Sequence, residues 1–325
     1  MSYILILLTL FRASDLIRRL PGWMAQTVKL VSNPSVDAAA WSRPSETDAD
    51  HATVATRDVF VVAHQDDWQL FMGDVAEERL KVDDAASFIY LTAGDDGRDS
   101  SYWRTRERAA LQSTRAALGT AIAADSIQCS DVIVRGHSIK RCLLGRTASY
   151  FLRLPDGRRN GAGFARSANQ TMRKLRSAKI AGITTVDRSA TYSGWKDLVA
   201  TVGDLIRDSA DAQITVHTFD PSITINPHDH FDHRAAGLVV TELRIPAWNE
   251  RLYVGYAVGT RASNRSSDAA REKTRLFLAY NDELIRANPK WNAYQEHPRF
   301  YSQCMTRTYA RTFKSHGESN QVPAK

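Results

Sequence analysis

The sequence predicts an α/β protein that is doubly wound around a mostly parallel β-sheet. Short continuous apolar runs, such as 59–63, are rich in β-branched and aromatic residues, which is typical of strands buried on both faces of a parallel sheet. Longer segments with helical periodicity, such as 102–118, alternate with these runs. No GxGxxG motif follows a strand, so the sequence does not support a dinucleotide site.

Each element is predicted from its own residues. Apolar runs that lead into turn residues indicate strands, which we expect at 59–63, 213–219 and 251–258. Two more strands are expected within 87–97 and 148–157, where the strand is followed by a glycine-containing exit and by a Pro-Asp-Gly turn, respectively. Apolar residues at helical spacing, with charged residues between them, indicate helices, which we expect at 68–80, 102–118, 198–206 and 268–285. Gly119 follows the second of these helices, where a glycine commonly ends a helix.

Length and composition are those of a globular protein. The 325 residues, 43% hydrophobic and 24% charged, are enough for one large α/β domain or two smaller ones. We expect a leader and polar linker over 1–56, a single α/β domain over 57–313 and a polar tail over 314–325. The net charge of +7 is spread along the chain without a Lys/Arg block, which argues against nucleic-acid binding and is compatible with anionic substrates.

The N-terminus and the cysteines limit the compartment only weakly. The apolar stretch 3–11 has no positively charged start, so we do not interpret it as a signal peptide, and a cytoplasmic location is favoured over a secreted or membrane-associated one. The same stretch could touch a membrane surface, but no apolar run reaches the roughly 20 residues that a transmembrane helix needs. With three cysteines at most one disulfide can form, which excludes a disulfide framework.

Two polar clusters contain the candidate site residues. His64-Gln-Asp-Asp67 directly follows the first strand, and ligands in open α/β sheets bind at the carboxyl ends of strands. His228-Asp-His-Phe-Asp-His233 follows the strand at 213–219 and opens a helix, with His230 and His233 spaced to face one side of a helical turn. Alone, the first could be a helix cap and the second a solvated loop. Together, on one sheet, they favour a shared site.

The residue types in these clusters suit a catalytic metal. A catalytic zinc site needs three protein ligands and an open position. One histidine and one carboxylate from the first cluster, with one histidine from the second, supply that number. The remaining aspartate and histidine are the groups that amide hydrolysis needs for proton transfer and for stabilising the tetrahedral intermediate.

The two motifs resemble those of the LmbE/PIG-L family of zinc-dependent deacetylases, which remove acetyl groups from N-acetylglucosamine-type sugars. The usual first motif of the family is AHPDDE, where this chain has Gln65 for Pro and Trp68 for Glu; the usual second motif is HPDH, where Phe231 replaces Pro. The resemblance covers residues 57–285 and implies a Rossmann-like three-layer sandwich with a mostly parallel sheet, the LmbE-like deacetylase fold.

The resemblance also implies roles for individual residues. It implies three ligands for Zn²⁺ or another divalent metal: His64, Asp67 and His233. Asp66 would be the general base for the attacking water. His230 would stabilise the oxyanion and protonate the leaving amine, and Asp232 would tune the orientation and pKa of a neighbouring histidine.

Three further residues are expected to contact substrate. Arg104 begins an Arg-Thr-Arg-Glu segment that resembles the RxxE motif of the family, whose arginine contacts sugar. Asp156, in Leu-Pro-Asp-Gly, resembles an aspartate that hydrogen-bonds sugar hydroxyls. His228 stands where some members have a tyrosine. A salt-bridged helix face explains Arg104 equally well, and a plain turn explains Asp156 equally well.

We therefore expect a metal-dependent N-deacetylase that acts on an N-acetylglucosamine-containing glycan, glycolipid or glycoconjugate. This substrate is the binding partner that we expect for the protein. Two alternatives stay open at this point. One is an amide hydrolase on the same scaffold that removes another acyl group or acts on a non-sugar substrate. The other is a non-catalytic carbohydrate-binding protein that keeps the metal only for structure.

Overall fold

The computed structural model describes residues 56–83, 86–119, 127–208, 213–243 and 248–313. All of them belong to one compact unit, Trp41–Lys325. Of the leader and linker expected over 1–56, residues 1–55 lie outside the described residues, and Thr56 already begins the first strand. The tail expected over 314–325 also lies outside them. Within the described ranges, no helix is long and apolar enough to cross a membrane.

Eight strands form the main sheet, and two short ones form a separate ribbon. The strands, in chain order, are β1 Thr56–Val62, β2 Ala86–Thr92, β3 Gln128–Val134, β4 His137–Leu144, β5 Thr147–Leu154, β6 Ile183–Thr184, β7 Thr191–Tyr192, β8 Gln213–Phe219, β9 Trp248–Tyr253 and β10 Ala310–Phe313. The order in the main sheet is β10-β9-β8-β1-β2-β5-β4-β3, and β6 pairs with β7. The five central strands, β9-β8-β1-β2-β5, are parallel. β10 at one edge and β4 and β3 at the other pair antiparallel.

Helices flank this sheet. In chain order they are α1 Asp67–Phe71, α2 Gly73–Asp83, α3 Ser100–Leu118, α4 Met172–Arg176, α5 Trp195–Arg207, α6 Phe231–Leu243, α7 Ser267–Ala287, α8 Ala293–Glu296 and α9 Pro298–Met305. α2, α3 and α7 pack together as one group, and α4, α5 and α6 as another. The predicted α/β class with a mostly parallel sheet is confirmed.

The core explains why the central strands read as continuous apolar runs. Every residue of β2 is buried, and so are residues 59–62 of β1. Phe60 of β1 lies over Phe88 of β2, with ring centroids 5.0 Å apart. Because both faces of these strands are covered, alternation of polar and apolar residues is absent from them.

The structure corrects two predicted elements. The helix expected at 68–80 is two helices, because Met72 leaves helical geometry with φ −135° and ends α1. The strand expected at 251–258 ends at Tyr253, since Gly255 begins a 3₁₀ turn over Tyr256–Thr260.

The β3–β4 hairpin was not predicted. Most residues of β3 are exposed because it is an edge strand, so it lacks the apolar run by which the other strands were recognised. Its turn residues, Arg135 and Gly136, have φ of 51° and 83°, the left-handed geometry of a tight hairpin, but Arg-Gly is a weaker signal than Asn-Gly. Cys129 and Cys142 face each other across the hairpin and form a disulfide, while Cys304 is free and buried.

Candidate active site

The two predicted clusters meet at the carboxyl edge of the parallel strands. His64 and Asp67 follow β1, Asp156 follows β5, and the second cluster follows β8 at the start of α6. Parallel strands end at the same edge of the sheet, so residues far apart in sequence lie together there. The chain thus places two histidines of the second cluster, His230 and His233, beside the first cluster.

His64, Asp67 and His233 form a compact group, called the metal group below. His64 Nδ1 lies 3.4 Å from Asp67 Oδ1, and His233 Nε2 lies 3.1 Å from the same oxygen. All three side chains are buried. Ligands of tetrahedral zinc, with bonds of about 2.0–2.2 Å, lie about 3.3 Å from one another. The donor set and its spacing therefore fit a divalent metal.

Local hydrogen bonds fix Asp67. Its Oδ2 accepts from the backbone N–H groups of Ala63 at 3.0 Å and His64 at 2.7 Å, which closes the turn between β1 and α1. This leaves Oδ1 directed at the two histidines. The same carboxylate thus builds the turn and presents a ligand atom.

Asp229 orients His233. Asp229 Oδ1 lies 2.9 Å from His233 Nδ1, so the Nδ1–H of the ring can donate to this carboxylate while Nε2 faces the metal group. The same oxygen accepts from the backbone N–H of Tyr256 at 3.0 Å. A Cβ at Gly255 would lie 2.4 Å from Asp229 Oδ2, so only glycine fits there. Carboxylate–histidine–metal arrangements of this kind fix the tautomer of the ligand.

His230 and Asp232 lie beside the metal group. His230 Nδ1 accepts from the backbone N–H of Asp232 at 3.1 Å, which leaves Nε2 to carry the proton of the neutral ring. Asp232 Oδ2 accepts from the N–H of Gly157 at 2.7 Å and lies 3.7 Å from His64 Nε2. A Cβ at Gly157 would lie 2.4 Å from Asp232 Oδ1, a close approach that requires glycine.

A second set of possible ligands shares His64 with the metal group. One atom each from His64, Asp156, His230 and Asp232 lies within 4.8 Å of the others. The contacts of His64 Nε2 with Asp156 and Asp232 are both 3.7 Å, longer than in the metal group. His230 already uses its Nδ1 lone pair, so it is a poor ligand in its neutral form. The metal group is the better cation site.

Burial and neighbouring charges shift the pKa values in opposite directions. Burial disfavours a charged ring, but the carboxylates of Asp67 and Asp229 raise the pKa of His233 to about 9. Burial likewise disfavours ionisation of Asp67, but the His233 and His64 rings lower its pKa well below the ordinary range. Burial and the nearby His64 ring lower the pKa of His230 to about 4. A metal ion at the metal group must therefore displace protons from its histidines.

Asp66 is paired with an arginine that was not among the expected site residues. Arg106 Nη2 donates to Asp66 Oδ1. Its Nη1 donates to the carbonyl of Gly94 at 2.7 Å and its Nε to the hydroxyl of Tyr280 at 2.6 Å. Arg104, the residue expected to contact substrate, is exposed, and its guanidinium lies 5.1 Å from the Trp103 ring. The structure therefore brings Arg106, and not Arg104, to the site.

The two remaining expected contacts differ in placement. Asp156 is buried in the site, with Oδ1 3.8 Å from His230 Nε2, and its backbone N–H donates to Asp95 Oδ1 at 2.8 Å. Burial, together with the nearby Asp156, raises the pKa of Asp95 to about 6. His228 is exposed, and its backbone carbonyl accepts from Arg159.

Several of the side chains described above line a cavity of about 360 Å³. Its polar lining includes Asp66, Asp67, His64, Asp156 and His230. Aromatic rings form much of the remaining wall: Tyr102, Phe164, Tyr256, Phe300 and Tyr301. A cavity of this size that combines a few polar groups with aromatic walls is typical of a small-molecule site.

The residues that sequence reasoning missed are Asp229, Arg106 and Asp95. Asp229 had a usable signal, since it lies four residues before His233 within the second cluster. Arg106 lies two residues after Arg104, and only the orientation of α3 distinguishes them. Asp95 lies in the glycine-containing segment after β2, and this pattern predicts a turn but does not indicate a site residue.

The protein is an α/β protein with a buried histidine–aspartate site at the carboxyl edge of its parallel strands. Comparison with known families then assigns the chain to a family. Residues 59–243, more than half of the chain, match the family described as PIG-L: GlcNAc-PI de-N-acetylase. The chain belongs to this PIG-L/LmbE family of deacetylases. No curated protein matches the sequence.

Solved structures resemble the fold at low sequence identity. N,N'-diacetylchitobiose deacetylase from Pyrococcus horikoshii is 13% identical, with 80% of this chain and 84% of that chain covered and a TM-score of 0.46. The zinc-inhibited form of teicoplanin deacetylase Orf2 is 16% identical, covering 79% and 96%, with a TM-score of 0.38. GalB, the 4-carboxy-2-hydroxymuconate hydratase of Pseudomonas putida KT2440, is 12% identical, covering 82% and 100%, with a TM-score of 0.39. These distant similarities carry no argument about the reaction.

Proposed function

We propose that the protein is a metal-dependent N-deacetylase that hydrolyses the acetamide of an N-acetylglucosamine-containing glycan, glycolipid or glycoconjugate. The observation that carries this proposal is that His64 and Asp67 of the metal group line one cavity together with Asp66 and His230. Family membership supports the same reaction class.

The metal group would hold Zn²⁺ or a similar divalent ion, for which its two nitrogens and one carboxylate oxygen are suited. When bound, such an ion supplies a Lewis acid that acidifies water and polarises a carbonyl. The protein orients the ligands through Asp229 and through the turn closed by Asp67.

Asp66 and His230 would carry the proton transfers. Asp66 lines the cavity and accepts a proton from the attacking water, while Arg106 holds its carboxylate in place. Water oxygen adds to the acetamide carbon, and the Nε2–H of His230 donates to the oxygen on which negative charge develops. The C–N bond then breaks as His230 gives its Nε2 proton to the leaving nitrogen, the proton that Asp66 took from water restores the neutral ring, and acetate is released.

Two measurements test this proposal: metal content, and acetate release from N-acetylglucosamine derivatives. We expect about one metal ion per chain and acetate release, with both lost in His233→Ala. Asp66→Asn should retain the metal and lose about 10²- to 10⁴-fold in rate. Metal retention with full activity in Asp66→Asn would exclude Asp66 as the base.

The amide-hydrolase alternative is tested with the same protein. A series of N-acyl glucosamines of increasing chain length, and a set of non-sugar acetamides, replaces the substrate. Metal binding without acetate release from any sugar, combined with turnover of one of these amides, would favour the alternative. Tight sugar binding without turnover of any amide would indicate a non-catalytic carbohydrate-binding protein.

A further inference from the structure

The strand β3, Gln128–Val134, is an open edge of the main sheet. It stands last in the strand order, and in the part of the chain that the structure describes it pairs with β4 alone. Ile133, in the second half of the strand, is 70% exposed. An exposed apolar edge strand offers unpaired backbone N–H and C=O groups to another strand.

β3 lacks the features that usually protect an edge strand. It contains no proline and no lysine, and its pairing with β4 runs from end to end without a register shift, so no bulge interrupts it. Its one charged residue, Asp131, has Oδ1 3.2 Å from Nζ of Lys140 on β4. The opposite edge strand, β10, has only four residues and includes Arg311. β3 is therefore the edge that can accept another strand.

The spacing across the hairpin shows which backbone groups of β3 point outwards. The Cα atoms of Cys129 and Cys142 are 4.1 Å apart, the close spacing of a non-hydrogen-bonded pair in an antiparallel ladder. Pair types alternate along the strand, so Asp131 and Ile133 are also in non-hydrogen-bonded pairs with β4. The N–H and C=O groups of these two residues therefore point away from β4 and are available to a new strand.

The sequence of β3 suits antiparallel pairing with β3 of a second copy. If Asp131 lay opposite Asp131 of that copy, two like charges would face each other, which is destabilising. A shift by two residues places Val132 opposite Val132, and the outward groups of Asp131 then hydrogen-bond with those of Ile133. In this register Arg135 of the second copy is the diagonal neighbour of Asp131, within reach of a long side chain. The shifted register thus brings opposite charges together.

Apolar surface beside the strand would enlarge such a contact. A groove of about 420 Å³ is lined by Arg135 of the hairpin turn, by Trp195 and Val199 of α5 and by Leu243 of α6. The last three side chains are only half-buried. Since α5 packs against β3, a second copy that pairs with β3 has this apolar surface next to the strand to cover.

We propose that β3 is a dimerisation strand, through which two copies of this chain pair antiparallel, with Val132 opposite Val132 and Asp131 opposite Ile133. The two main sheets then become one continuous sheet. Because both copies use the same strand, the contact is isologous and closes at two chains. β3 does not line the cavity, so the inference concerns assembly and does not depend on the proposed function.

The mass of the full chain in solution tests the dimer. Size-exclusion chromatography with light scattering, at a series of protein concentrations, should give the mass of two chains. Ile133→Lys places a charge on the edge, and Ile133→Pro removes an N–H that makes no bond to β4. Both should shift the mass to that of one chain, and far-UV circular dichroism shows whether each variant is folded.

Val82→Lys is the matched control for Ile133→Lys. Val82 is also a highly exposed apolar residue, at 80%, but it belongs to α2 and not to the sheet edge. This variant receives the same added charge, so it should keep the mass of two chains. Loss of the dimer in Val82→Lys as well would show that added charge, and not the edge strand, controls association.

Cysteine cross-linking tests the register. Val132→Cys should form a disulfide between two copies on a non-reducing gel, because the two residues 132 would lie directly opposite each other with neighbouring Cβ atoms. Ser130→Cys is the matched control, since Ser130 lies on the same face of β3 two residues away. In the proposed register it lies opposite Val134 of the second copy and should not cross-link.

Each other outcome counts against the proposal. The mass of one chain at every concentration would overturn it, and so would a dimer that persists in folded Ile133→Lys. Cross-linking of Ser130→Cys as efficient as that of Val132→Cys would contradict the register. Species larger than two chains would contradict an isologous contact.

Discussion

Replacing Asp229 should weaken metal binding without touching a ligand. The Asp229 carboxylate lies 2.9 Å from Nδ1 of His233 and is the group that directs Nε2 of that ring towards Asp67. Its side chain is fully buried, so water cannot replace it as the partner of the ring. Asp229→Asn keeps an acceptor oxygen but loses the negative charge, and Asp229→Ala loses both.

The magnitude follows from this geometry. Loss of an outer carboxylate partner of a metal-ligating histidine costs about 10- to 100-fold in metal affinity. We expect Asp229→Asn at the lower end, about 1.4 kcal/mol, and Asp229→Ala at the upper end, about 2.7 kcal/mol. Asp229→Ala also leaves the Tyr256 N–H without its acceptor, so it should lower the stability of the protein as well.

The assay is competition with a zinc chelator of known affinity, monitored optically. Asp58→Asn is the matched control, because Asp58 forms a buried pair with His217, at 2.6 Å, outside the metal group. All three substitutions should lower the midpoint of thermal unfolding, and only the two at position 229 should raise the dissociation constant for zinc. Unchanged zinc affinity in Asp229→Ala would refute the reasoning, as would an equal loss in Asp58→Asn.

Three further predictions concern other parts of the molecule. Gly157→Ala should move Asp232, from which the new Cβ would be 2.4 Å away, and should reduce acetate release more than metal content. Lys273→Met should lower the free energy of unfolding in urea by roughly 3 kcal/mol, because Lys273 Nζ is buried and donates to three acceptors that would lose their partner. Asp187→Asn should flatten the dependence of stability on pH between about 4 and about 2. Burial opposes ionisation of Asp187, but hydrogen bonds from Thr185 and Arg153 lower its pKa to about 2. The ionised carboxylate therefore stabilises the fold above about pH 4, and this stabilisation is lost as the pH falls towards 2. Urea titrations at several pH values check this, and a slope equal to that of the wild type would contradict it.

The parallel sheet and the meeting of the two clusters could be predicted because they depend on short-range patterns. Continuous apolar runs identify β1, β2, β5 and β8, and polar residues at their ends share one edge of the sheet. The β3–β4 hairpin could not be predicted in this way. Its outer strand is exposed, and its position depends on pairing with β5.

Arg106 shows what a pattern cannot settle. Arg104 and Arg106 are two residues apart on α3, and at 3.6 residues per turn they point to nearly opposite sides of the helix. Which side faces the site depends on the packing of α3 against α7, where Tyr280 accepts the hydrogen bond from Arg106. That contact joins residues 174 positions apart, so no local motif contains it.

His228 illustrates the same limit in the second cluster. The sequence predicted a substrate contact at this position, but the residue is exposed and contributes its carbonyl to Arg159. A tyrosine still reaches the metal group from another element: the Tyr256 ring lies 5.0 Å from His233 and 6.3 Å from His230. Since Asp229 binds the N–H of Tyr256, the residue that orients His233 also fixes this ring. Changes at Asp229 should therefore affect both metal affinity and the position of Tyr256 in the cavity wall.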